Sequence, residues 1–90
     1  MDANSVLRRS ANTSYERVAD EAILIRLDTG AYFSLNKVGT DFWELLDGAT
    51  SIAGHAQTIA EKYQVEPDRV GRDLLELAGK LAADRLVEIS

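Results

Sequence analysis

Apolar residues recur first with a period near two and later with a period near 3.6, so the pattern splits the chain into a strand-forming part and a helix-forming part. Ser14 to Ala19 sets Tyr15 and Val18 among polar residues and reads as a short first strand, followed by a polar turn at Asp20-Glu21. Ala22 to Leu27 reads as a second strand, with Ile23, Ile25 and Leu27 on one face and Leu24 and Arg26 on the other. Asp28-Thr29-Gly30 is a hairpin connection in which the glycine supplies positive φ. Ala31 to Leu35 is the third strand. Ala31, Phe33 and Leu35 alternate there with Tyr32 and Ser34, and Phe33 and Leu35 are expected in the core.

The period then changes. Asn36 is the expected cap of a first helix bearing Val38, Phe42, Leu45 and Leu46 at helical spacing, stopped by Asp47-Gly48. Trp43 lies about a third of a turn off that stripe and reads as a partly buried staple against a neighbouring element. A second helix follows Ser51 and runs from Ile52 to Tyr63, with Ile52, Ala56, Ile59, Ala60 and Tyr63 on one face. His55 falls outside that face and is expected in solvent. Pro67 suits the first position of a third helix that reaches about Asp84. On a helical wheel Val70, Leu74, Leu75, Leu77, Ala78, Leu81, Ala82 and then Leu86 span about half the circumference, whereas a helix packed on one layer needs about 100°. The surplus implies a second packing partner: another element, a dimer mate or an incoming ligand. Leu86 to Ile89 is a short extended segment able to close the domain as a wing-like strand.

Three strands, three helices and a short terminal strand describe an α+β fold, a winged helix-turn-helix with a three-stranded antiparallel N-terminal sheet. Residues 1–13 are small and polar apart from Val6-Leu7 and read as a mobile arm; residues 14–90 are the domain. In an antiparallel meander the second strand is central, so the third is an edge with an unpaired row of backbone N–H and C=O groups.

Composition narrows the function of such an edge. Ninety residues with 46% apolar content fold as one small domain. A net charge of −5 opposes a phosphate-binding surface. On the third helix Arg69, Arg72 and Lys80 are outweighed by Asp68, Asp73, Glu76 and Asp84, so an acidic winged-helix DNA-binding regulator is the alternative reading rather than the main one. There is no cysteine and one histidine, which leaves no thiolate metal site, no expected cofactor and few groups for acid–base or nucleophilic chemistry. Asp41 and Glu44 are ordinary neighbours on an exposed helical face, and no phosphate loop or nucleophile elbow is present. No apolar run has the roughly 20 residues of a membrane span, and the first residues lack a signal-peptide core, so a cytoplasmic protein without membrane contact is expected. What remains is peptide recognition, in which an extended segment adds to the free edge and alternate side chains insert toward Leu74, Leu77 or Leu81.

The ordered residues carry a resemblance. Leu27-Asp28-Thr29-Gly30-Ala31-Tyr32-Phe33-Ser34-Leu35-Asn36-Lys37-Val38-Gly39, then Phe42-Trp43-Glu44-Leu45-Leu46-Asp47-Gly48, then Ile59-Ala60-Glu61-Lys62-Tyr63, and finally Val70, Asp73-Leu74, Leu77, Leu81 and Leu86-Val87 resemble the PqqD-like family, the RiPP recognition elements. The likeness covers residues 15 to 89, and its hairpin looks most like the stand-alone modules of lasso-peptide pathways. It implies a non-catalytic module that binds the leader of a ribosomally made precursor peptide and delivers it to a leader peptidase or other modifying enzyme. It also implies that the backbone of Ala31, Tyr32, Phe33, Ser34 and Leu35 pairs with the leader, and that Asp73, Leu74, Leu77, Lys80 and Leu81 meet its side chains. Family members often carry glycine where this chain has Arg85. A homodimer that hides the third strand against its twin is a further possibility for that edge.

Overall fold

The computed structural model describes residues 1–90. In chain order the elements are β1 (Leu7–Arg9), β2 (Thr13–Val18), β3 (Glu21–Arg26), β4 (Tyr32–Leu35), α1 (Lys37–Leu45), α2 (Ile52–Tyr63), α3 (Pro67–Ala83) and β5 (Val87–Ile89). β2, β3 and β4 form the expected antiparallel meander with β3 at its centre. Gly30 takes positive φ (74°), and the Arg26 N–H donates to the Ala31 carbonyl at 2.8 Å, closing the hairpin as the Asp-Thr-Gly signal implies. Helix α1 packs on one face of this sheet, against β3 and β4, with α2 and α3 packed on it and on each other, and the architecture is α+β. No helix is long and apolar enough to cross a membrane.

The core joins Leu24, Leu35, Phe42, Trp43, Ile52, Ile59, Leu74 and Leu81, all buried. Trp43 is more deeply placed than a staple, 1% exposed. Tyr15 meets its ring edge-on with centroids 6.0 Å apart, and the Arg9 guanidinium lies 5.1 Å from its centroid while donating to the Trp43 carbonyl. A cation thus covers the open side of the largest core ring and satisfies a backbone acceptor near the C-terminal end of α1.

Strand parity differs from the simplest reading of β3. Ala22 and Leu24 face the helices, whereas Ile23, Ile25 and Leu27 face away and stay exposed. A run that is apolar on both faces does not declare which face is inner. Its neighbours decide: Leu24 lies between Tyr15 and Phe33, and Ala22 opposite Leu35. A one-residue slip would turn all of these outward. Val18 is exposed for the same reason, since the inward place in β2 goes to Tyr15.

Residues 1–13, expected as an arm, contain β1, which pairs antiparallel with β5 in a second sheet. Leu7 is 1% exposed, and the Ala53 and Ile52 N–H groups donate to the Ala3 and Ser5 carbonyls. The partner strand lies at Val87–Ile89, far beyond the reach of a local pattern, so only Val6-Leu7 hinted at burial.

The chain reaches β5 through a tight helix stop. Leu86 N–H donates to the Leu81 carbonyl (2.9 Å) and Arg85 N–H to the Ala82 carbonyl (3.0 Å), the two bonds of a Schellman motif, and Leu86 packs inward. Arg85 occupies the left-handed position of that motif at φ 57°, where a glycine fits without cost. Arg85→Gly is therefore expected to raise the unfolding free energy by about 1 kcal/mol, measured by urea titration.

Candidate functional site

The site is built where β4 runs directly into α1. Asn36 caps the helix, its Oδ1 accepting the Gly39 N–H at 2.8 Å, so strand end and helix start are held as one unit. A β-carbon on Gly39 would lie 3.3 Å from terminal carbons of both Leu35 and Leu77, so the absence of a side chain lets the first turn of α1 sit close against α3. Between the β4 edge and α3 this leaves an open groove of about 440 Å³.

Backbone geometry defines the edge. Arg26 bonds to Ala31, and antiparallel ladders alternate, so Ala31, Phe33 and Leu35 turn their polar groups toward β3. The N–H and C=O groups of Tyr32 and Ser34 point away from the sheet, and no strand lies beyond them. Of the five residues expected to pair with a peptide, these two carry the free groups. Side chains follow the opposite rule. Phe33 and Leu35 point toward the helices, while Tyr32, 75% exposed, stands on the outer face.

The groove gathers Phe33, Ser34, Leu35, Asp73, Leu74, Leu77 and Lys80 from the expected set. Leu74 is buried at its floor, Leu77 is half-buried on its wall, and Asp73 and Lys80 are exposed along its rim. Lys80 lies 3.7 Å from Glu76, whereas Asp73 has no ion-pair partner. Ala31, Tyr32 and Leu81 do not line it; Leu81 is fully buried in the core. The over-wide apolar face of α3 therefore divides into a buried centre (Val70, Leu74, Ala78, Leu81) and two half-buried flanks, Leu77 toward β4 and Leu75 toward α2. Asn36, Val38, Gly39 and Glu76 also line the groove and were not singled out, because a cap, two first-turn residues and a rim acid carry no distinctive pattern.

Elsewhere the polar groups bind elements together. Asp41 accepts from Lys62 (3.0 Å) and from the Tyr63 hydroxyl, clamping α1 to α2. Partial burial would raise the Asp41 pKa, but these hydrogen bonds outweigh it and hold the carboxyl below its usual value. His55, expected in solvent, is 4% exposed, edge-on to Phe42 with its Nε2 4.0 Å from Asp47. Burial lowers its pKa below 6.5, opposed by the Asp47 charge. The unfolded state then binds a proton at a pH where the folded state does not, so stability is complete above about pH 6.5 and falls as the solution is acidified toward the folded pKa. Urea midpoints at pH 7.5 and 5.5 are expected to differ, and His55→Leu is expected to remove most of that difference. No group of three histidine or carboxylate side chains is placed to share a metal ion.

The family model described as coenzyme PQQ synthesis protein D (PqqD) matches residues 21–87. A solved structure of TbiB1 in complex with the TbiA(β) leader peptide is 32% identical, with a TM-score of 0.81 over 90% of this chain and 94% of the other. A lasso peptide synthetase B1 complexed with the leader peptide is 26% identical, with a TM-score of 0.75 over 91% of this chain and 96% of the other. The solution structure of the PqqD truncation of Methylobacterium extorquens PqqCD, a stand-alone RiPP recognition element, is 21% identical with a TM-score of 0.82 over 98% and 95%. That last likeness speaks for the fold alone. No curated protein matches the sequence.

Proposed function

The chain belongs to the PqqD family, and we propose that it binds the leader segment of a ribosomally synthesised precursor peptide, without catalysis, by adding it as a strand to β4. The observation that carries this reading is the free edge at Tyr32 and Ser34 lying beside the apolar wall of Leu77. A guest strand there would take main-chain hydrogen bonds from the edge and would turn every second side chain toward Phe33, Leu74 and Leu77. Two relatives whose structures contain leader peptides share the fold over at least nine-tenths of the chain, which supports the same use of the groove. The bound leader would then be delivered to a leader peptidase or another modifying enzyme of the same pathway.

Strand addition must offset the ordering of a free peptide, so affinity is expected between nanomolar and micromolar, about −8 to −12 kcal/mol. Isothermal titration with a synthetic leader from the precursor gene encoded beside the protein, with duplex DNA as control at about 200 mM salt, tests it. Saturable 1:1 peptide binding and no duplex binding are the expected result. Duplex binding that persists in that salt, with no peptide binding, would overturn the reading.

A further inference from the structure

A guest strand has two faces, and the groove accounts for only one of them. Ser34, Leu35 and Asn36 border a second hollow of about 460 Å³ on the opposite side of β4, the side away from the helices. Its floor is Ile23 and Val18, and its far rim carries Glu16 and Glu21. The register explains the hollow. Glu16 lies opposite Ile23 and Ile23 opposite Ser34, so one row across the outer face runs acid, branched apolar, small polar and then the open edge. The small Ser34 side chain leaves Ile23, 44% exposed, uncovered from the edge side. Neither Glu16 nor Glu21 forms an ion pair, although Arg17 between them in sequence is engaged by Asp20 and Glu44 on the other face.

We propose that this outer hollow is a second subsite for the same guest, taking an arginine whose stem lies over Ser34 and Ile23 and whose guanidinium reaches Glu16 and Glu21. The proposal rests on strand addition at β4. In that arrangement the guest residue opposite Ser34 turns its side chain outward, and its two neighbours in sequence turn theirs into the groove on the α3 side. From guest to Glu16 is three strand spacings, about 14 Å between α-carbons. An extended arginine and a glutamate bridge that distance with a hydrogen bond between their ends. The arginine stem covers apolar surface while its head stays wet, which suits a floor of Ile23 and Val18 with an acidic border. The net charge of −5 favours the same sign of guest. The guest is therefore specified as apolar, arginine, apolar over three consecutive residues, with the outer arginine read by Glu16 and Glu21.

A random 12-residue phage-display library, panned on the protein and on a Glu16→Gln/Glu21→Gln variant, tests this without knowledge of the natural leader. Both glutamates are exposed, and the variant's melting curve checks that it folds. The wild-type selection is expected to return two apolar residues flanking an arginine, and the variant selection the same apolar pair without preference between them. For the best wild-type peptide, Arg→Ala at that position is expected to weaken binding about fivefold on the wild type and not at all on the variant. An apolar pair with no arginine between, or an equal loss on both proteins, would overturn the second subsite and leave peptide binding by the groove standing. No enriched peptide on either protein would overturn the strand-addition reading and this proposal together.

Discussion

Ser34→Pro is expected to weaken leader binding about a hundredfold while leaving the fold's stability within about 1 kcal/mol. The two effects separate because of where the Ser34 N–H points. In the β3–β4 ladder the Ser34 backbone faces outward, so proline removes no bond that the free protein makes. Phe33, the residue before it, is already extended, as a residue preceding proline must be. For an incoming strand the change is severe. One donor disappears, the pyrrolidine ring stands in the hydrogen-bonding plane, and a guest carbonyl loses its partner while still losing water. A missing hydrogen bond and an unpaired peptide group together cost about 3 kcal/mol, close to a factor of a hundred in Kd. Fluorescence anisotropy of a labelled leader, with thermal melting of the same samples, measures both effects. Ser34→Ala, which keeps the N–H, is expected to stay within about threefold of wild type. A proline variant that binds normally would place the peptide somewhere other than this edge.

The plan of strands and helices was legible because its signals are local. Asp28-Thr29-Gly30 marks one hairpin, Asn36 and Ser51 cap two helices with side chains that accept from Gly39 and Gly54, and Pro67 opens the third. The two flanks of α3 were legible as well, since an apolar arc about twice the usual width must face more than one neighbour. What the chain concealed depends on contacts distant in sequence. β1 pairs with a strand about eighty residues away, and its only local trace is the apolar pair Val6-Leu7. The inward face of β3 is set by Tyr15, Phe33 and Leu35 rather than by its own pattern, in which the bulkier set Ile23, Ile25 and Leu27 points outward. His55, expected in solvent, in fact borders the apolar stripe of α2, one turn after Ile52 and one before Ile59, and is buried edge-on to Phe42 from α1. For the site, residue choice on α3 was decided by depth. Leu77 and Leu81 are one turn apart on the same helix, but only Leu77 reaches the groove.

That difference of one turn, and the one between the two flanks, make α3 the place to test how the peptide's side chains are read. Leu77→Glu is expected to reduce leader affinity at least a hundredfold. In the free protein Leu77 is half-buried, so a carboxylate there can stay hydrated, and the added charge four residues after Asp73 costs only about 0.5 kcal/mol of helix stability. When an apolar guest side chain closes over the position, the carboxylate must lose its water against an apolar surface, with only the solvated Lys80 one turn away on the rim, and the penalty is about 3 kcal/mol. Leu77→Ala, which removes contact area without adding charge, is expected to cost nearer 1 kcal/mol. Leu75→Glu provides the control, since Leu75 is also half-buried on the same helix but faces the α2 side. It is expected to leave the leader Kd unchanged. Titrations of the three variants with one leader peptide, on proteins shown to be folded by circular dichroism, therefore separate a groove contact from a general weakening of α3. Equal losses from Leu75→Glu and Leu77→Glu would remove the groove between β4 and α3 as the binding surface, whereas a loss confined to Leu77 would assign the guest's inward side chains to that wall.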